Sequence, residues 1–159
     1  MKKSYFNIIL VLMSLSVFSC AKNTDSQNCP PIEVSVPQNE ITGLESFLED
    51  QGIEALWHEK GFYYTILKEG NGATPNACSD INIAYEGSLT NGFVFDANDG
   101  IDFPLTKLIT GWRLGVPLLK EGGEIILYLP PTLGYGSNAQ ANIPANSILI
   151  FQIELHKVK

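Results

Sequence analysis

Tyr85-Glu86-Gly87-Ser88-Leu89-Thr90-Asn91-Gly92-Phe93-Val94-Phe95-Asp96 is the stretch on which the fold turns. It continues a pattern in which Ile81, Ile83 and Tyr85 alternate with Asn82, Ala84 and Glu86, as in a strand with one face buried. Asn91-Gly92 then stands before a second apolar run, Phe93-Val94-Phe95. The pair predicts a two-residue hairpin turn, because Asn and Gly tolerate the positive φ angles that such turns require. Two antiparallel strands joined at Asn91-Gly92 are therefore the starting unit.

Outward from this hairpin the signals stay short and β-like. Upstream, Phe62 to Lys68 is rich in aromatic and β-branched residues and ends in the turn Glu69-Gly70-Asn71-Gly72. Downstream, Ile101 to Leu105 reads as a further strand. Gly111 to Leu119 carries Trp112, Val116 and Leu119 at helical spacing and stops at Gly122-Gly123. Glu124 to Leu129 and Ile148 to Leu155 are again strands. The sum is an α+β domain, an antiparallel sheet with one short helix against a face.

The region before the domain has three parts. Residues 1–19 read as a lipoprotein signal peptide: Met1-Lys2-Lys3 is basic, Tyr5 to Phe18 is almost wholly apolar, and Val17-Phe18-Ser19-Cys20 resembles a lipoprotein box. The apolar run is short for a membrane span, which needs about 20 residues. The resemblance implies cleavage before Cys20 and acylation of its thiol, with Phe18 a departure from the usual small residue. Residues 20–41 read as a tether, polar at first and then broken by Pro30, Pro31 and Pro37. Residues 42–60 read as a short helical segment, with Thr42 and Glu45 placed as a capping box and Leu44, Phe47 and Leu48 on one face. Residues 61–159 form the main domain.

Bulk chemistry excludes several functions. The chain of 159 residues carries a net charge of −7, which gives no electrostatic footprint for nucleic acid. His58 and His156 are the only histidines and stand in no triad or metal spacing; both read as solvated surface residues. No phosphate-binding glycine loop is present, so the residues call for no cofactor and no metal. Cys29 and Cys78 can form a disulfide outside the cytoplasm, but the place of Cys29 in the tether weighs toward two free thiols.

Several motifs in order carry a family resemblance. The hairpin Tyr85–Asp96, the run Leu108-Ile109-Thr110-Gly111-Trp112 with Gly115, then Gly122-Gly123-Glu124, Leu133-Gly134-Tyr135-Gly136, Ile143-Pro144 and Leu149-Ile150-Phe151 all resemble the FKBP-type peptidyl-prolyl cis/trans isomerases, over about Phe62 to Val158. The resemblance implies a bent five-stranded antiparallel sheet wrapped round a short helix, with an aromatic pocket between them. It implies that Tyr85, Phe95, Asp96, Trp112 and Tyr135 are the catalytic set, with Trp112 as the pocket floor and Asp96 and the Tyr135 hydroxyl at the rim. Ile101, Leu108, Ile109, Ile143 and Phe151 are implied to contact substrate, the Ile109 N–H donating to a substrate carbonyl.

There are departures. Ala97-Asn98-Asp99-Gly100 is short and lacks the Arg that often pairs with this Asp, and Ile101 stands where many members have an aromatic wall. With the lipoprotein start, the short form is similar to FKBP lipoproteins of Bacteroidetes-type bacteria, some of them associated with gliding motility. The implied partners are proline-containing polypeptides, the membrane through a lipid anchor at Cys20, and an envelope protein met by the helix near Thr42–Gln51. The implied place is the cell envelope, facing the periplasm from the outer membrane. The competing readings are an FKBP-fold binding or chaperone module with little catalysis, and an accessory part of an envelope machine.

Overall fold

The structure, a computed structural model, describes residues 29–159. The signal peptide and the lipidation residue Cys20 lie outside the described residues. In chain order the elements are α1 (Gln38–Gln51), β1 (Leu56–His58), β2 (Phe62–Lys68), β3 (Asp80–Leu89), β4 (Val94–Pro104), α2 (Thr110–Gly115), β5 (Glu124–Leu129) and β6 (Leu149–Val158). The strands form one antiparallel sheet in the order β1-β2-β5-β6-β3-β4.

The sheet therefore has six strands rather than five. The added strand is β1, which pairs Leu56, Trp57 and His58 with Tyr64, Tyr63 and Phe62. It is held by side chains as well as by its ladder. Trp57 meets Tyr63 with ring centroids 5.0 Å apart, and His58 stacks on Phe62 at 4.4 Å. His58 is thus not a solvated residue: its ring lies half-buried, and burial lowers its pKa from the ordinary value.

Period-2 alternation builds two faces. Phe62, Ile81, Ile83, Ile125, Leu127, Leu129, Leu149, Phe151, Ile153 and Leu155 point to one side and form the main core with Trp112, Val116 and Leu119. Helix α2 can lie on this face because Gly111 and Gly115 present no side chain to β5. A Cβ on Gly111 would stand 2.3 Å from Leu129 Cδ1, and one on Gly115 2.5 Å from Leu127 Cδ2.

The other face is covered by α1. Leu44 and Leu48 are buried there with Tyr128, and Phe47, Tyr63, Ile126, Ile148 and Ile150 pack around them. Polar contacts fix the helix in register: the Tyr63 hydroxyl donates to Glu45 Oε1 at 2.9 Å, and Thr132 donates twice to the Glu40 carboxylate at 2.8 Å. The helix starts at Gln38, a turn before Thr42, so no Thr42–Glu45 capping box forms. Pro37 precedes it without a side-chain cap, and Gly52 closes it at φ 64°.

Cys29 and Cys78 form a disulfide, contrary to two free thiols, with Cα atoms 5.7 Å apart. The physical reason is that the chain from Cys29 onward is not loose. Ile32, Val34 and Val36 alternate inward, Val34 and Val36 pack against the main core, and Val36 sits directly on Gly61. Among the described residues no helix is long and apolar enough to cross a membrane.

Candidate active site

Between α2 and the sheet lies a cavity of about 210 Å³ lined by Tyr85, Phe95, Asp96, Phe103, Lys107, Leu108, Ile109, Trp112, Tyr135 and Phe151. Six of these ten residues are aromatic, and they are arranged edge to face. Trp112 meets Tyr85 at 5.1 Å and 78°, and meets Phe151 at 5.1 Å and 87°. Phe95 meets Phe151 at 5.6 Å and 85°. Such T-shaped pairs direct the positive edge of one ring at the negative face of the next and hold the walls upright. Trp112 and Phe151 are buried beneath, while Tyr85, Phe95 and Tyr135 remain half-exposed.

Each element supplies its residue for a local reason. Trp112 enters with the first turn of α2, whose N-cap is Ile109 (φ −58°, ψ 153°). An N-cap N–H is outside the helical hydrogen-bond series, so the Ile109 N–H is not committed to the helix, and Ile109 lines the cavity. Phe95 and Asp96 are neighbours on β4 and in a regular strand would point to opposite faces. Here Gly87 pairs with Asp96 and Ser88 with Val94, so Phe95 is the extra residue of a β-bulge. The bulge re-aims its side chain, and both residues line one cavity. A second bulge opposes Ala84 with Asp99 and Gly100, which takes up the segment after Asp96 inside the strand.

Gly87 completes the wall. A Cβ there would lie 2.7 Å from Phe151 Cε1 and 2.7 Å from both Phe95 Cε2 and Cζ, so both rings rest on bare backbone.

The polar groups converge at the rim. The Tyr85 hydroxyl donates to Asp96 Oδ2 at 2.6 Å. Asp96, which lacks the Arg that often pairs with this Asp in the resembled family, thus has a phenol as its partner. Burial, and then the bond to Asp96, push the Tyr85 pKa well above the ordinary phenol value. Burial and the Asp96 charge also raise that of Tyr135. The Trp112 Nε1 group, at the floor, has no hydrogen-bond partner among the described residues.

Of the implied site residues, Tyr85, Phe95, Asp96, Leu108, Ile109, Trp112, Tyr135 and Phe151 line the cavity together. Ile101 and Ile143 do not. Ile101 pairs with Ile83 in the β3–β4 ladder and packs on the core. Its place is taken by Phe103, two residues on and on the same face, with its ring 6.5 Å from that of Tyr85. Ile143 is a buried core residue and anchors the long loop, bonded through backbone to Gln140 in both directions at 2.8 and 2.9 Å. Phe103 and Lys107 were missed. Alternation along β4 could have found Phe103; nothing in the sequence marks Lys107.

The hairpin also differs from expectation. Gly92 N–H donates to Leu89 O at 2.9 Å and Leu89 N–H to Phe93 O at 3.0 Å, so the turn has three residues, Thr90-Asn91-Gly92. Only Gly92 takes positive φ, at 81°, while Asn91 Oδ1 accepts the Phe93 N–H at 3.0 Å. Asn91 is spent on that side-chain turn rather than on a left-handed backbone.

An open aromatic box between a short helix and an antiparallel sheet, with polar groups at its rim, is the arrangement that the motifs of the sequence imply. The chain belongs to the FKBP-type peptidyl-prolyl cis-trans isomerase family, whose family model matches residues 72–156. It is 42% identical over 137 residues to the FKBP-type peptidyl-prolyl cis-trans isomerase FkpA of Buchnera aphidicola, covering 80% of this chain and 53% of that one. With FkpA of Escherichia coli K12 it shares 33% over 135 residues, covering 80% and 49%. The crystal structure of FkpA from Escherichia coli superposes with a TM-score of 0.69 at 30% identity, covering 77% of this chain and 60% of that one. The chain thus spans about half the length of the curated relatives it matches.

Proposed function

We propose that this protein catalyses cis/trans isomerisation of X–Pro bonds in proline-containing polypeptides, and does so from the cell envelope. The observation that carries the reading is the cavity, six aromatic rings around about 210 Å³ with Asp96, Tyr85 and the Ile109 N–H at its edge. Rotation of the peptide bond costs about 18–20 kcal/mol because resonance is broken. A planar amide has a strongly polar carbonyl, and the twisted amide, having lost resonance, a less polar one. A cavity that strips water from the carbonyl therefore disfavours the planar form relative to the twisted one. The flat proline ring fits over Trp112, and the walls Phe95, Phe103 and Phe151 exclude water around it. The Ile109 N–H orients the substrate by donating to one of its carbonyl oxygens.

The placement rests on the sequence of the first twenty residues. The basic start, apolar run and Cys20 support an acylated N-terminus, a periplasm-facing domain and a role in folding secreted or envelope proteins, as in the FKBP lipoproteins of Bacteroidetes-type bacteria. An envelope partner, if one docks on α1, has to use its outer side, since Leu44 and Leu48 are occupied by Tyr128.

The test is acceleration of cis-to-trans exchange in Leu-Pro and Phe-Pro peptides by the purified protein, with Trp112→Ala and Phe95→Ala checked for folding first. A folded wild-type protein that leaves the exchange rate of both peptides unchanged overturns the reading.

A further inference from the structure

We infer that Lys107 selects for an acidic residue beside the substrate proline, an inference that rests on the isomerase reading above. Lys107 is the single cation among the residues lining the aromatic cavity. It ends the 3-10 turn Leu105–Lys107 and stands two residues before Ile109, the N-cap of α2 and itself a lining residue of the cavity. Any substrate carbonyl held by Ile109 therefore brings the neighbouring residues of the substrate under the reach of this side chain.

Two observations leave the ammonium free for a ligand. Lys107 is exposed, and among the described residues the only ion pairs are His156–Glu154 and Lys159–Asp102. The other charge on the rim, Asp96, makes no ion pair with it and instead accepts the Tyr85 hydroxyl at 2.6 Å. The stem of a lysine lines apolar surface while its head stays in water. Lys107 thus adds wall to the cavity and a positive charge just outside it. The protein as a whole carries −7, so a cation at the cavity is a local exception to a field that on balance disfavours acidic segments. The ligand chemistry is an X–Pro segment with Glu or Asp at X.

The test compares kcat/KM for peptides differing only in X, with Glu-Pro set against its neutral isostere Gln-Pro and Leu-Pro as a reference. Wild type should favour Glu-Pro about three- to five-fold at low salt, the range open to an exposed charge pair. The preference should shrink toward one at about 1 M salt. Lys107→Met keeps the stem and removes the charge; its Glu/Gln ratio should fall to about one. Lys107→Glu should bring the ratio below one. Equal ratios in wild type and both variants overturn the inference. If no peptide is accelerated, the isomerase reading fails separately, and dissociation constants of the same labelled peptides, read by fluorescence anisotropy, decide the charge selection by the same ratio.

Discussion

The Tyr85 hydroxyl and the Asp96 carboxylate are joined at 2.6 Å, from β3 to β4, across the mouth of the aromatic cavity. The bond fixes the direction of the carboxylate at the cavity and leaves the Tyr85 ring free to pack on Trp112. Tyr85→Phe keeps the ring and removes the donor. It should lower kcat/KM several-fold and cost about 1 kcal/mol of stability, the usual worth of one hydrogen bond. Asp96→Asn, which still presents an oxygen to the phenol, should cost less than Asp96→Ala in a peptide isomerisation assay. Equal effects of the two Asp96 variants would show that the bond is not used.

Gly87→Ala is the sharpest test of the wall. It removes no lining residue, yet its Cβ would stand 2.7 Å from both Phe95 and Phe151. The rings must tilt away, so activity should drop about ten-fold while stability falls by roughly 1–3 kcal/mol, the range for overpacking. Denaturant unfolding and the exchange assay on one sample measure both. An unaltered rate would mean that the rings yield without changing the cavity.

The disulfide closes a loop of 49 residues between Cys29 and Cys78. A loop of that length gains about 4 kcal/mol in the chain-entropy account. Urea unfolding with and without dithiothreitol should show a clear loss of midpoint on reduction. The double variant Cys29→Ser, Cys78→Ser should match the reduced protein and no longer respond to dithiothreitol. A wild type that is indifferent to the reductant would remove the bond from the account.

Three tyrosines set the alkaline limit. Burial, and next the hydrogen bond to Glu45, push Tyr63 up to about 12. Tyr85 and Tyr135 are raised as well, burial again first. Each folded pKa lies above the ordinary value near 10, so the folded state holds these protons more tightly than the unfolded chain. Their contribution is complete below about pH 10 and is lost as pH rises through the folded values. Unfolding midpoints measured from pH 8 to pH 11.5 should therefore fall only above about pH 10. Tyr63→Phe and Tyr85→Phe should each flatten that fall. A decline of the same slope in both variants would assign it elsewhere.

Much of this architecture can be read from side-chain periodicity. β3, β5 and β6 alternate cleanly because one face is core, and the spacing of Trp112, Val116 and Leu119 follows one helix and its 3-10 extension. What periodicity cannot show is where the ladder slips. Phe95 and Asp96 share a cavity only because of a bulge, and a bulge leaves no composition signal. Phe103 is overlooked for Ile101 because the register across the second bulge decides which of them reaches Tyr85. The early start of α1 is hidden by the absence of a side-chain cap at Pro37. The pairing of Cys29 depends on Val34 and Val36 finding the core, a long-range contact that three nearby prolines disguise as a linker.

The disulfide at Cys29 also bears on the proposed anchoring of the domain. If Cys20 is acylated as proposed, nine peptide steps separate it from Cys29, the first covalently fixed point, a span of at most about 30 Å for a fully extended chain. A domain so anchored would explore a thin layer along the bilayer surface instead of the whole compartment. Its effective concentration would then be high for chains emerging at that surface and low for those free in solution. Reduction of one bond would lengthen that span to wherever the chain from Cys29 next grips the domain, and the thickness of that layer would change with it.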